Sequence, residues 1–343
     1  MRSRGAGLLL GAVADALLGD PRRGHPVAGF GRCAAALERR LYVDRRDAGV
    51  AYTAVLVGGA VGLGVAAEAV GRRRPVLGTA LTAVATWAVL GGSSLAGHGD
   101  ALARELGATG GEAEAPPTPR ESTRIGARVG TSRRVQAGSR GVDLDAARAR
   151  LPSLCGRDPD LLDAAGMARA GTESMAENTS DAVVAPLIWG AVAGIPGLLG
   201  YRAVNTLDAM VGYRSPRYER FGWASARLDD VANLLPARVA ALLFAGLAPA
   251  VGGSPRAAVT TWLRDASAHP SPNAGPVEAA AAGALGVGLG GRTVYAHGVE
   301  ERPRLGSGPP PAPDDLRRAA HLSRLVGAAS AVLAVGVAAA RSR

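Results

Sequence analysis

"AYTAVLVGGAVGLGVAA", Ala51 to Ala67, carries no charged residue over its whole length. As a helix it rises about 1.5 Å per residue and covers roughly 25 Å, close to the ~30 Å hydrocarbon core of a bilayer. A few residues on, "GRRRP" (Gly71–Pro75) places three arginines and a proline before a second charge-free run, Pro75–Gly97. Two apolar runs joined by so short a turn form an antiparallel helical hairpin. Its outer flanks, Asp20–Gly49 and His98–Asp181, then lie on one side.

Further apolar windows occur at Ala182–Tyr201, Val239–Pro255 and Leu325–Ala340. The last two are short, but arginines at their ends can reach the interface. Gly5–Leu18 starts like a signal sequence after Arg2 and Arg4, yet Asp15 interrupts it and no small-residue cleavage site comes after it. It reads as a retained or interfacial helix. The expected fold is an all-α, polytopic membrane protein with about five transmembrane helices plus this N-terminal one. It forms one integral-membrane domain over residues 1–343.

Composition agrees. The chain is 48% hydrophobic with only 4% aromatic residues, so small apolar side chains dominate. Net charge is +10 and the 39 basic residues are all arginine. They are spread over several loops without aromatic interleaving, which argues against nucleic acid and for membrane orientation. Seven arginines in Asp20–Gly49 outnumber the three of the hairpin turn, so the positive-inside rule puts that loop and His98–Asp181 in the cytoplasm. Within His98–Asp181, residues 112–140 read as a flexible insertion rich in Pro, Gly, Ser, Thr and Arg. Cys33, Cys155 and the five histidines show no disulfide or zinc spacing.

The chemistry concentrates at span ends. "ESMAENTSDAVVAP" (Glu173–Pro186) sets Glu173, Glu177 and Asp181 at steps of four, on one helical face. Like charges at that spacing repel unless something cationic compensates them, or unless they form a solvated acidic face. The next window holds Pro186 and the break "GIPG" (Gly194–Gly197), so it is expected to bend or re-enter and bring its polar flanks together. Beyond it, Tyr201, Asn205, Asp208 and Gly212 share another face, and Asp229 and Asp230 precede the next span.

Carboxylates bind Mg²⁺ one or two per ion with phosphate completing the shell, and arginines clamp phosphates or carboxylates. Glu173, Glu177, Asp181 and Asp208 are the candidate catalytic acids; Glu177, Asp181, Asp208, Asp229 and Asp230 are the candidate metal ligands. Arg202, Arg214, Arg227, Asn178, Asn205, Asn273 and His25 are candidate substrate contacts. The competing reading is a set of salt bridges at helix ends. No phosphate-binding loop points to ATP.

Six stretches in order, "GDPRRGHPVAGFGR", "CGRDPDLLD", "ESMAENTSDAVVAP", "YRAVNTLDAMVGY", "FGWASARLDDVANLLPAR" and "SPNAG…AGALGVGLGG", resemble the CobD/CbiB family of cobalamin-biosynthesis membrane proteins, the adenosylcobinamide-phosphate synthases. The resemblance covers nearly the whole chain. It departs in the arginine-rich insertion before "CGRD" and in "PV" after "SPNAG". The resemblance implies an amide ligase that joins (R)-1-amino-2-propanol or its O-phosphate to the free propionate of adenosylcobyric acid. ATP is the co-substrate, with Mg²⁺, in the cell membrane, and other cobalamin-assembly enzymes are possible partners. Two other classes compete. A phosphotransferase of CDP-alcohol type is disfavoured because Asp229 and Asp230 are adjacent rather than a turn apart. A broken-helix transporter would place its polar residues inside spans.

Overall fold

The computed structural model describes residues 2–21, 24–107, 144–213, 215–295 and 298–341. Arg214 and the expected insertion at 112–140 lie outside the described residues. In chain order come α1 (Arg2–Leu18), α2 (Pro26–Leu41), α3 (Arg46–Gly71), α4 (Pro75–Val89) and α5 (Gly92–Gly107). Next are α6 (Asp145–Arg150), α7 (Ala164–Thr179), α8 (Ala185–Leu207), α9 (Trp223–Leu247), α10 (Pro255–Asp265) and α11 (Ala274–Leu285). An antiparallel hairpin of β1 (Leu289–Tyr295) and β2 (Gly298–Leu305) precedes the last helix, α12 (Pro313–Ala340).

Five helical stretches are long and apolar enough to cross a membrane: Arg46–Gly71, Pro75–Gly107, Ala164–Gly212, Trp223–Val251 and Pro313–Ala340. The five charge-free windows fall on them, and the protein is an all-α polytopic bundle. The last two stretches begin well before their windows, because Arg227, Arg238, Arg317, Arg318 and Arg324 ride on the helices themselves.

The first two spans form the hairpin that "GRRRP" requires. Gly71 and Gly78 face each other so closely that a Cβ on Gly71 would stand 2.7 Å from the Gly78 Cα. The N-terminal helix is not laid across the bundle. Gly7 faces Thr82 and Gly11 faces Thr86, so α1 runs alongside α4 with no room for a side chain between them. It is thus a packed member of the bundle. His98–Asp181 is not all loop, since the second half of α5 and the whole of α7 lie within it. Both pack on α12, burying Leu102, Leu106, Met167, Met175 and Leu316 in one cluster.

The third stretch decides where the polar residues go. At Gly194 the backbone takes φ 67°, ψ −147°, a region essentially confined to glycine. There α8 turns back on itself. Gly190 meets Leu198 and Gly197 meets the Trp189 carbonyl, so the arms pair about the turn. Opposite charges hold it: Glu68 accepts from the Ile195 N–H (3.2 Å), and Arg4 donates to the Val192 carbonyl (3.4 Å). A carboxylate at the start of one arm and a guanidinium at the end of the other complement the helix dipoles. Arg4 and Glu68 also pair at 3.2 Å.

Proline shapes the neighbouring helix. Pro236 has no N–H for the Ala232 carbonyl, and the Trp189 indole supplies that donor at 3.0 Å. The missing hydrogen bond thereby becomes a tie between α8 and α9.

Candidate active site

Two π-helical turns interrupt the third stretch, at Ser180–Val184 and Asp208–Gly212. Each adds a residue to the helix and re-aims the residues beyond it, a feature frequent at functional sites. Asp181 sits on the first and Asp208 opens the second. The turn at Gly194 folds them toward one another. Asn205 Nδ2 donates to Asp181 Oδ2 at 3.4 Å, and Arg202 Nη1 donates to Asn205 Oδ1 at 3.4 Å.

From α9, Asn233 joins the group. Tyr201 Oη donates to Asn233 Oδ1 at 2.8 Å, and Asn233 Nδ2 donates to Asp229 Oδ2 at 2.9 Å. Asp181 feels Asp229, Glu177 and Asp208 as its neighbouring acids, with Arg202 as the opposing charge. Asp208 likewise faces Asp229, Asp230 and Glu177. Arg202 in turn feels both Asp181 and Asp20. Arg202 is thus the cation nearest Asp181, and Asp208, Asp229 and Glu177 stand close enough to Asp181 to act on it. Within this group Asp229 Oδ1 and Arg202 Nε are buried with no hydrogen-bond partner. An unpartnered buried acceptor on α9 and an unpartnered buried donor on α8 are groups that a polar ligand could satisfy.

Glu177 is exposed, one turn before the first π turn. One turn further back, Glu173 has a different setting and is 2% exposed. It pairs with Arg157, accepts from the Gly290 N–H at 2.7 Å, and meets Arg302 at 3.4 Å. Arg302 also contacts Glu278 at 3.3 Å and closely approaches His269 Nε2. Burial, then the Arg302 charge, holds the His269 imidazole down to about 4, so it is neutral at ordinary pH. Burial pushes the Glu278 carboxyl up to about 8, against the pull of Arg302 and with the push of Glu173 and Glu177. This buried network braces α7, α11 and the β-hairpin. Glu177 lies between it and the acid group, since its charged neighbours are Arg302, Glu173 and Arg157.

The structure thus brings Glu177, Asp181, Asp208, Asp229, Arg202 and Asn205 together. It does not bring the other expected residues into that group. Asp230 stands at its edge, close enough to act on Asp208 and Asp229, and pairs with Arg227 at 3.3 Å. Asn178 turns back to Ser174, donating to its carbonyl and hydroxyl at 3.0 and 2.9 Å. Asn273 braces α9 to α11, accepting from Arg238 and donating to the Asp230 carbonyl. His25 caps α2 by accepting from the Val27 N–H at 3.1 Å, and its Nε2 stands 3.6 Å from Asp20. Arg214 lies outside the described residues.

Sequence reasoning missed Arg157, His269, Glu278 and Arg302. Glu278 had a legible signal, as the one charge in "AGPVEAAAAGAL", because a lone acid in an apolar helix is costly unless paired. Arg157 lay inside the quoted "CGRD" motif. Arg302 had none, because it reaches Glu173 only through the strand pairing of Gly291 with Arg302.

A helical bundle with five stretches able to cross a membrane, one of them folded back so that its acids and Arg202 approach one another, defines a polytopic membrane protein. The CobD/Cbib protein family matches residues 8–117 and 128–323, and the chain belongs to that family. It is 52% identical over 339 residues to the cobalamin biosynthesis protein CobD of Mycobacterium tuberculosis, covering 97% of this chain and 96% of the relative. It is 40% identical over 321 residues to the Chromobacterium violaceum protein of the same name, covering 92% and 90%. The Geobacter metallireducens protein of that name is 40% identical over 311 residues, covering 89% and 87%. No solved structure was found to match the chain.

Proposed function

We propose that the chain joins (R)-1-amino-2-propanol, or its O-phosphate, to the free propionate of adenosylcobyric acid with consumption of ATP. The observation that carries this reading is a pair of buried, unpartnered polar atoms, Arg202 Nε on α8 and Asp229 Oδ1 on α9, on two helices tied together by the Tyr201–Asn233–Asp229 hydrogen bonds, in a chain of the CobD/Cbib family. An amide ligation brings an anion and an ammonium to one place, and the group offers a counterpart to each.

The propionate carboxylate attacks the terminal phosphate of ATP, giving an acyl phosphate and ADP. The neutral amine then attacks the acyl carbon and inorganic phosphate leaves. Arg202 orients the anion through its unpartnered N–H. Glu177, exposed beside Asp181, accepts the proton that the ammonium loses before attack. Glu173 touches no substrate in this account and acts as a positioning residue that holds α7 against the β-hairpin.

The donor set fits magnesium. Asp181, Asp208 and Asp229 offer oxygen donors, one of them orphaned. Among the described residues no three His, Cys, Asp or Glu side chains are grouped to hold a metal by themselves. That suits an ion held by one or two carboxylates and completed by phosphate oxygens. When bound, it would offset the charge of the ATP phosphates. Family membership favours ligation over the phosphotransferase and transporter readings. We further propose that the protein lies in the cell membrane with this site open to the cytoplasm, where ATP is available.

The test uses purified full-length protein in nanodiscs with adenosylcobyric acid, ATP, Mg²⁺ and either amine, read by mass spectrometry. An amide product with ADP release is expected. Absence of product with both amines from folded protein would overturn the reading.

A further inference from the structure

Away from the acid group, a cavity of about 410 Å³ opens between α1, α5, the first π turn and α12. That is within the range of small-molecule sites, about 300–1,000 Å³. Its walls are apolar, including Val183, Leu187 and Ala331. Its rim residues Leu9, Val13 and Val332 are 44%, 44% and 69% exposed, so it opens sideways where lipid would lie.

Two charges face this apolar space. Asp15 is 6% exposed; its Oδ2 accepts from the Ser93 N–H at 3.2 Å, while its Oδ1 is buried with no hydrogen-bond partner. Arg324 lines the same cavity, pairs through one Nη with Asp100, and keeps its side chain 46% exposed. Asp15 and Val183 both pack on Gly92, and Val183 in turn meets Gly327. Gly327 is one turn beyond Arg324 on the same face of α12. An anion acceptor and a cation therefore line one cavity of about 410 Å³ whose apolar rim is exposed.

We infer that this cavity binds one phospholipid with a primary ammonium headgroup, a phosphatidylethanolamine, its N–H groups donating to Asp15 Oδ1 and its phosphate accepting from Arg324. A choline headgroup has no N–H for Asp15. A glycerol headgroup is anionic overall and lacks the cation that a buried carboxylate favours. The acyl chains of the lipid run past Leu9, Val13 and Val332 into the membrane.

The full-length protein is delipidated in detergent and mixed with equimolar phosphatidylethanolamine, phosphatidylcholine and phosphatidylglycerol. Native mass spectrometry then reads which lipid stays bound. One phosphatidylethanolamine should be retained about tenfold over phosphatidylcholine, the order expected of a charge-assisted hydrogen bond. Asp15→Asn should abolish that preference, and Arg324→Gln should weaken retention of all three lipids. Val332→Trp, on the exposed rim, should block retention without touching either charge, which keeps the test intact should Asp15→Asn fail to fold. Equal retention of ethanolamine and choline lipids, or lipid undisturbed by Val332→Trp, would overturn the assignment.

Discussion

Asn205 reaches Asp181 at 3.4 Å although 24 positions separate them. A straight helix would hold those residues about 36 Å apart. Their contact exists because α8 reverses at Gly194, roughly midway between them. The acid group is therefore a consequence of one backbone conformation, and its integrity depends on that turn.

Gly194→Ala should destabilise the protein by about 1–3 kcal/mol from backbone strain alone. An added Cβ would also run into Glu68, which caps the returning arm. Thermal unfolding in detergent should show a lowered midpoint and reduced ligation together. Gly59→Ala is the control, because Gly59 has nothing within 4 Å of an added Cβ. An unchanged midpoint for Gly194→Ala would contradict the turn's role.

Glu173 and Glu177 are one turn apart and should behave oppositely. Glu173→Gln leaves Arg157 and Arg302 without their shared charged partner, and breaking a buried pair costs about 3–5 kcal/mol. It should appear as poor folding and a lower midpoint. Glu177→Gln should fold normally and lose at least about 100-fold in turnover, the lower end for a proton-transfer group. Asp208→Asn should also fold and lose activity. Near-normal turnover in both Glu177→Gln and Asp208→Asn would leave these acids as salt-bridge partners only.

The pair His269 and Glu278 sets a pH window for stability. Glu278 is raised in the folded protein from 4.5 to about 8. The folded state therefore holds its proton more tightly, and the contribution is full below 4.5 and lost as pH rises to about 8. His269 is lowered from 6.5 to about 4, so its contribution is present above 6.5 and lost as pH falls to about 4. The slopes oppose one another between about 4.5 and 6.5 and leave a net fall from about 6.5 to 8. Unfolding midpoints measured across that range should decline, and Glu278→Gln should flatten the decline. A slope unaffected by Glu278→Gln would assign it to other groups.

Topology gives a direct check of the cytoplasmic site. Single cysteines at Arg73 and Leu161, both exposed, can be placed in a chain from which Cys33 and Cys155 have been removed. A membrane-impermeant reagent added to intact cells should label position 73 and not position 161. The reverse pattern would put the acid group on the outer face.

Much was legible in the sequence for simple physical reasons. Charge-free runs of bilayer length can only be satisfied as buried helices, so the five spans could be read from Ala51–Ala67 and its counterparts. The hairpin at "GRRRP" came from a loop too short for any other path. Acids at steps of four marked α7, and "GIPG" marked the reversal. Sequence could not tell which acids share a site, because side chains one turn apart on α7 enter different surroundings. Glu173 is taken into a buried ion network by a β-hairpin more than a hundred residues away, and Glu177 is left exposed. Asp181 and Asp208 were neighbours only in prospect; two π turns and a glycine-only conformation made them so. Periodicity reports one face of one helix. Which faces meet is settled by long-range closure, and here that closure was set by Gly194, Glu68 and Arg4.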